Sequence, residues 1–172
     1  INVNISNGDL CPRYCCRVIK NIKVQESPQW LKHKMALIGQ KSINNIVDLA
    51  NYVMFDLGQP LHTFDYDKLD GKTIEVRHAQ KNEEILCLNN ELNKLSNDDI
   101  VIADSKGPIA IAGVIGGFDS QVDKNTTSIL LESAVFDEIS IRKTAKKYDY
   151  AKEASKRFER GVDYNQLIYV MD

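Results

Sequence analysis

The segment "NIVDLANYVMFDLGQPLHTFD", residues 45–65, joins an amphipathic helix to an abrupt helix stop. Its apolar residues recur at the 3.6-residue spacing of one helix face; they are Ile46, Leu49, Ala50, Val53 and Leu57. We predict a helix from about Ser42, acting as N-cap, to Leu57. Gly58 then stands where a left-handed residue commonly ends a helix. The direction of the chain after this helix is therefore set by the residues that follow Gly58.

A single histidine, His62, follows the helix stop. Pro60 cannot continue a helix and biases Gln59 toward extended geometry. We therefore predict that His62 lies on a stiff connection leaving the end of a packed helix. Local sequence leaves two interpretations open, an ordinary core or surface histidine and a functional one.

The rest of the chain predicts an α+β domain. A strand is expected at about residues 14–24, followed by a short helix that begins at Ser27 and Pro28 and ends at Gly39. Short apolar runs between residues 72 and 136 are separated by Asn, Asp, Gly and Ser, which is typical of strands. Helical patterns return at about residues 139–150 and 153–161. This order favours an α+β fold over a parallel βαβ sheet.

Composition indicates one soluble globular domain of 172 residues, with 43% hydrophobic and 27% charged residues. No apolar run approaches the roughly 20 residues that a membrane-spanning helix needs, so no membrane partner is expected. The chain begins at Ile1 without a basic or apolar leader pattern. We therefore expect an excised domain with a cytoplasmic location.

The four cysteines do not predict a metal site. Their spacing matches neither a redox pair nor a zinc knuckle, and the chain has only three histidines; the cysteines are Cys11, Cys15, Cys16 and Cys87. Reduced structural thiols are expected, and no metal ligand is predicted. The absence of a disulfide framework also favours the cytoplasm.

Charge is unevenly distributed along the chain. The net charge is −2, but residues 141–161 carry eight Lys or Arg against three acids, so this segment holds +5 and the remainder −7. Two interpretations stay open for the basic segment: a solvated helix face and a groove that contacts RNA.

Two features of the strand region suggest a pocket wall. The glycine-rich "AGVIGG", residues 112–117, precedes a polar loop rather than a helix, which argues against a phosphate-binding loop. Glycines also mark places where a ligand approaches the backbone. In "SILLESAVF", residues 128–136, strand alternation places Glu132 on the same face as Leu130, which makes burial of this carboxylate plausible.

Five ordered motifs together resemble the editing domain of the bacterial-type phenylalanyl-tRNA synthetase beta chain, from about Pro12 to Asp163. They are the opening segment, "AGVIGGFDSQV", "LESAVFD", "IRKTAKKY" and "EASKRFERGVD". The resemblance implies an α+β fold with a β-sandwich of unusual topology flanked by helices. It also implies that residues 1–172 form a single editing, tRNA-binding domain of a longer beta chain. The implied activity is hydrolysis of tyrosine wrongly esterified to phenylalanine tRNA, inside a heterotetramer of two alpha and two beta chains.

The resemblance also assigns roles to individual residues. His62 and Asn51 match catalytic positions near the ester and the terminal adenosine, and Glu132 matches the residue that meets the phenolic hydroxyl of tyrosine. The implied substrate-binding set is Glu132, Gly113, Ala112 and Ala134. Many family members have Thr where this chain has Ala50, which removes a hydroxyl beside Asn51, and Glu where it has Asp56. No cofactor is implied in this domain, since ATP and magnesium belong to the synthetic site of the full enzyme.

These residues suit the chemistry of editing. An apolar pocket that accepts phenylalanine rejects an added hydroxyl only weakly, so a second site must remove tyrosine. Glu132 can accept a hydrogen bond from tyrosine and is left unpaired by phenylalanine. His62 can orient water, accept its proton or hold the ribose, and these roles stay open.

The alternative hypothesis is a non-catalytic scaffold or RNA-binding module of the same synthetase. The two hypotheses differ in geometry, because editing requires a cleft that is lined by His62, Asn51, Gly113 and Glu132 together.

Overall fold

The computed structural model describes residues 1–172 and contains ten strands and four α-helices. The strands are β1 (Asn2–Ile5), β2 (Arg13–Lys20), β3 (Leu61–Asp65), β4 (Thr73–His78), β5 (Glu84–Leu86), β6 (Leu92–Lys94), β7 (Ile100–Ala103), β8 (Pro108–Ile111), β9 (Ile115–Gly116) and β10 (Ser128–Val135). The helices are α1 (Gln29–Leu37), α2 (Asn45–Leu57), α3 (Glu138–Lys147) and α4 (Glu153–Phe158). The longest helix has 13 residues, and none combines the length and apolarity needed to cross a membrane.

Two larger sheets and a hairpin organise the strands. The five-stranded sheet has the order β1-β4-β7-β8-β9, and β1 runs parallel to β4 while the other pairs are antiparallel. The three-stranded sheet has the antiparallel order β2-β10-β3, and β5 pairs with β6. Strands far apart in sequence are thus neighbours in space, so the predicted α+β architecture with a sandwich of unusual topology is confirmed.

One hydrophobic core of 26 buried residues lies between these elements. The five-stranded sheet contributes Val76 and Ile102, and the three-stranded sheet contributes Phe64 and Leu130. Helix α3 adds Ile141 to the same cluster. The inner faces of the two sheets therefore share a core, which helices close at one side.

Helix α2 ends as predicted but begins and packs differently. Gly58 has φ +81° and ends the helix, whereas the N-cap is Asn44, whose side chain accepts hydrogen bonds from two backbone amides of the first turn. Leu49 is 47% exposed, although the apolar stripe predicts that it faces the core. Asp48 is fully buried instead and accepts hydrogen bonds from the hydroxyls of Ser27 and Ser42.

Two strands depart from the sequence-based expectations. His62 lies within the strand β3, which pairs with β10, rather than on a connection between elements. The N-terminal segment forms β1, which lies parallel to β4 at the edge of the larger sheet. No sequence pattern predicted this strand. The predicted helix after Ser27 is observed, with Pro28 at the N-cap.

Candidate functional site

The pairing of β3 with β10 places His62 directly opposite Glu132. Directly opposed residues of an antiparallel pair project from the same face of the sheet, with Cβ atoms about 4.5–5.5 Å apart. Phe64 and Leu130 form the next pair on that face, and both are completely buried in the core. His62 and Glu132 therefore face the space between the two sheets.

Glu132 is a buried acid with a single protein donor. It is 5% exposed, and its Oε2 accepts a hydrogen bond of 2.7 Å from the hydroxyl of Tyr14 on β2. Burial raises the pKa of Glu132 to about 7, and the bond from Tyr14 opposes that rise. The carboxyl group therefore changes its protonation state near neutral pH.

His62 is partly buried and stands between aromatic and backbone neighbours. Its ring meets Phe64 edge-on, with ring centroids 4.5 Å apart. A Cβ atom added to Gly116 would lie 2.7 Å from Cε1 and 2.9 Å from Nε2 of His62, so the backbone of β9 lies directly against the imidazole. Burial lowers the pKa of His62 to about 4, which leaves the ring neutral at neutral pH.

The residues between the helix stop and β3 anchor His62. The left-handed Gly58 reverses the chain after α2. Gln59 is buried, and its side-chain amide donates to the backbone oxygens of Pro60 (3.2 Å) and Ala134 (3.0 Å). This contact fixes the start of β3 against the end of β10, and strand register then brings His62 opposite Glu132.

Ala134 shares the face of Glu132. It is two residues further along β10, buried, and pairs with Tyr14 across the sheet. Cys16, the partner of Glu132 on β2, lies on this face as well. His62, Glu132, Ala134 and Tyr14 thus form a contiguous patch around one carboxylate.

The other residues singled out from the sequence have different surroundings. Asn51 lies in the middle of α2, partly buried, and its side chain makes no hydrogen bond within the protein. Gly113 has φ +66°, and a Cβ there would lie 3.0 Å from side-chain atoms of Ile141 and Phe158. Ala112 is buried in the core. The structure brings His62 and Glu132 together, but Asn51, Gly113 and Ala112 make no contact with Glu132. The cleft lined by His62, Asn51, Gly113 and Glu132 therefore stays a prediction, as do the roles of these residues.

Sequence reasoning missed two residues of this patch. Tyr14 lies in a strand that the sequence predicted, but no role was assigned to it. Its hydrogen bond to Glu132 depends on the pairing of β2 with β10, which local sequence does not show. Gly116 belongs to the "AGVIGG" motif. The expectation that glycines of this motif allow close approach to the backbone was the sequence feature that pointed to its contact with His62.

The patch lies apart from two surface clefts. One cleft of about 530 Å³ lies along β1 and β4, and another of about 590 Å³ lies between Gly58 and α4. Neither is lined by His62 or Glu132. The side chains of the chain form no cluster of three or more His, Cys, Asp or Glu that is arranged to hold a metal ion.

Comparison with known proteins relates this geometry to a family. The chain is 52% identical over its entire length to the phenylalanine–tRNA ligase beta subunit of Protochlamydia amoebophila, of which it spans 22%. It is 48% identical over 99% of its length to the corresponding subunit of Fusobacterium nucleatum, of which it spans 21%. The chain thus covers about a fifth of the length of these relatives.

A solved structure shares the fold. The N-terminal fragment of the phenylalanyl-tRNA synthetase beta subunit from Pyrococcus horikoshii aligns with 90% of this chain and 49% of its own, with a TM-score of 0.57 and 14% identity. The family model of the B3/4 domain matches residues 10–172. The chain therefore belongs to the B3/4 domain family.

Proposed function

We propose that this chain is the editing domain of a phenylalanine–tRNA ligase beta subunit and hydrolyses tyrosine wrongly esterified to phenylalanine tRNA. The observation that carries the proposal is the buried carboxylate of Glu132 directly opposite His62. The similarity to beta subunits over the whole chain supports the same assignment. The tRNA, the alpha chain and the remaining beta-chain domains are its proposed partners in the cytoplasm, and the domain itself requires no cofactor.

Glu132 supplies the test for tyrosine. A phenol donates a hydrogen bond to the carboxylate, whereas phenylalanine offers no donor and leaves the carboxylate desolvated. An unmet buried polar group costs about 1–3 kcal/mol, and more if it is charged. The chain therefore prefers the tyrosyl ester. Tyrosine is also the amino acid that a synthetic pocket for phenylalanine excludes only weakly.

His62 supplies the group next to the reacting ester. Its pKa of about 4 keeps the ring neutral at physiological pH, so one ring nitrogen is free to accept a hydrogen bond from water. That water attacks the ester carbonyl carbon, the bond to the ribose oxygen breaks, and a proton ends on the ribose hydroxyl. The aminoacyl ester is already activated, so orienting the water suffices without a covalent intermediate.

Deacylation of phenylalanine tRNA charged with tyrosine or with phenylalanine tests this proposal. We expect faster hydrolysis of the tyrosyl ester, by about one to two orders of magnitude. Glu132→Gln should reduce this ratio without unfolding the protein, because the amide keeps the size of the side chain but is a neutral, weaker acceptor. The assay should use both the 172-residue chain and the complete ligase.

Equal rates for the two esters in the wild-type protein, or no hydrolysis in either form, would favour the scaffold hypothesis. An unchanged ratio in Glu132→Gln would show that another residue senses the hydroxyl.

A further inference from the structure

The hydroxyl of Tyr14 already occupies one oxygen of Glu132. The bond to Oε2 is 2.7 Å long, and no other group of the protein donates to this carboxyl group. The acid that is proposed to recognise a phenol thus holds a phenol of the protein itself. This arrangement leaves Oε1 as the only oxygen with both lone pairs unused.

Oε1 keeps a small exposed surface and has no protein partner. Among buried side-chain oxygen and nitrogen atoms, only Oε1 of Gln59 and Oγ of Ser133 lack a hydrogen-bond partner. Oε1 of Glu132 also lacks a protein partner but is not among these fully buried atoms. The small exposed part of Glu132 therefore includes the oxygen that Tyr14 does not occupy.

Strand geometry fixes the position of Tyr14. It pairs with Ala134, two residues after Glu132, so its ring lies diagonally across from the carboxylate on the same face. The ring packs against the hydrophobic core. A phenol held by both its ring and its strand is a rigid donor, and it restricts the rotation of the carboxyl group that accepts its hydrogen bond.

We propose that Tyr14 is a positioning residue that determines selectivity: it binds Oε2 and orients the carboxylate so that Oε1 accepts the phenolic hydroxyl of a tyrosyl ester. This inference rests on the proposed editing function. It adds a second residue to the recognition of tyrosine and explains why a buried strand acid carries a tyrosine beside it. Without the hydroxyl of Tyr14 the carboxyl group is free to rotate, and Oε1 is no longer held in one orientation.

The electrostatic surroundings agree with this role. The titratable groups that face Glu132 are Tyr14 and Cys16 from β2 and His62 from β3, with Cys11 just before β2. Burial and the carboxylate raise the pKa of Tyr14 well above its usual value, so its hydroxyl stays protonated as a donor. No cation lies within ion-pairing distance of Glu132, so the neutral donor Tyr14 is its stabilising partner.

Tyr14→Phe is the direct test, because it removes only the hydroxyl. The ratio of tyrosyl to phenylalanyl ester hydrolysis should fall by about tenfold, through a raised KM for the tyrosyl ester. Tyr150→Phe is a matched control, since Tyr150 also donates to a glutamate, Glu91, at a different place in the fold. The control should leave the ratio unchanged.

A double variant separates positioning from a structural role. In a Glu132→Gln background, Tyr14→Phe should have no further effect on the ratio, because Tyr14 acts through the carboxylate. The double variant also avoids an unpaired buried carboxylate if Tyr14→Phe alone fails to fold. An additive loss in the double variant, or an unchanged ratio in the single variant that folds, overturns the inference while the editing function stands.

Binding of 3′-tyrosylamino-3′-deoxyadenosine and its phenylalanyl counterpart supplies a readout without hydrolysis. Tighter binding of the tyrosyl compound to the wild type than to Tyr14→Phe, with equal binding of the phenylalanyl compound, supports the inference. Equal losses for both compounds overturn it. A wild-type protein that neither discriminates the compounds nor hydrolyses the ester overturns the inference and the proposed function together.

Discussion

His62 differs from the other two histidines of the chain in its surroundings. His33 and His78 are exposed, whereas His62 is held between the ring of Phe64 and the backbone of Gly116 and stands opposite an acid. A desolvated, neutral imidazole next to a carboxyl group is suited to hold a water molecule. Substitutions of His62 can therefore separate its chemical role from its role in packing.

Substitution of His62 separates proton transfer from positioning. His62→Ala should slow tyrosyl ester hydrolysis by roughly 10–1000-fold, the range for loss of a base or a positioning group. His62→Gln retains hydrogen bonding but cannot act as a base near neutral pH. High activity in His62→Gln indicates positioning, and activity equal to that of alanine indicates proton transfer. His78→Ala is the control and should leave hydrolysis unchanged. If both His62 variants hydrolyse the ester at the wild-type rate but melt at lower temperatures, His62 is an ordinary core histidine.

The pH dependence of selectivity should follow Glu132 and not His62. With a pKa of about 7, Glu132 is about one-tenth ionised at pH 6 and about nine-tenths at pH 8. A phenol binds an ionised carboxylate more strongly than a protonated one, so the tyrosyl to phenylalanyl rate ratio should rise through this range. Using the ratio cancels hydroxide-driven hydrolysis, which affects both esters.

Two variants check this assignment. Glu132→Gln should make the ratio independent of pH between 6 and 8, whereas His62→Ala should preserve its rise, since His62, with a pKa of about 4, does not titrate in that range. In the folded protein Glu132 holds its proton to higher pH than an ordinary glutamate, whose pKa is about 4.5, so its contribution to stability falls as pH rises from about 4.5 to 7. Glu132→Gln should therefore raise the melting temperature more at pH 8 than at pH 5.

Strand alternation indicated that Glu132 could be buried but did not predict its neighbours. Alternation along a strand relates residues two positions apart, so Leu130 and Glu132 share a face wherever the strand lies. The pairing of Glu132 with His62 and its bond from Tyr14 depend on the register of three strands from distant parts of the chain. Such register is set by tertiary packing, which local patterns do not contain.

At the scale of elements, the stop of α2 was predictable and its buried face was not. Gly58 and Pro60 act locally, and the helix ends where they require. Apolar periodicity carries no information about buried polar groups, and the buried group at the start of α2 is Asp48. Its bonds to Ser27, Ser42 and the amide of Ile43 orient the helix and leave Leu49 exposed.

The short strand β9 positions the ring of His62 through a glycine. Gly116→Ala places a methyl group 2.7 Å from Cε1 of His62 and 3.1 Å from Cδ1 of Leu88, so the imidazole must move. Gly116 does not require the left-handed backbone region, and the substitution creates no backbone strain there. We expect tyrosyl hydrolysis to fall about tenfold or more, as misplacement of a catalytic group predicts.

Gly8→Ala is a control for this prediction, since a Cβ at Gly8 meets no atom within 4 Å. It should retain wild-type activity. Full activity in Gly116→Ala, with a crystal structure showing an unmoved His62, would refute the steric argument for β9.

At the scale of the whole molecule, the basic segment is partly neutralised by ion pairs. Of its eight cations, Lys147 pairs with Asp99 at 2.7 Å, and Lys156 and Arg157 both pair with Glu153. Five cations form no ion pair; they are Arg142, Lys143, Lys146, Lys152 and Arg160. The interpretation as a solvated helix face thus describes the paired cations, and contact of the other five with RNA stays a prediction.

The 172-residue chain should bind phenylalanine tRNA weakly, because its net charge is −2 and its one basic segment offers only these five unpaired cations to phosphates. We expect a dissociation constant above about 1 μM at 0.15 M salt, with a slope of log K against log salt no steeper than about −3.5 to −4.5.

Arg160→Glu should weaken binding and reduce the magnitude of the slope by about 1. Lys106→Glu changes the net charge equally but lies in the cleft along β1 and β4, outside the basic segment, so it should have a smaller effect. Equal losses in the two variants would indicate that net charge rather than the basic segment governs binding. Tight binding that resists salt would instead require contacts other than phosphate pairing, and fluorescence anisotropy over a salt series distinguishes these outcomes.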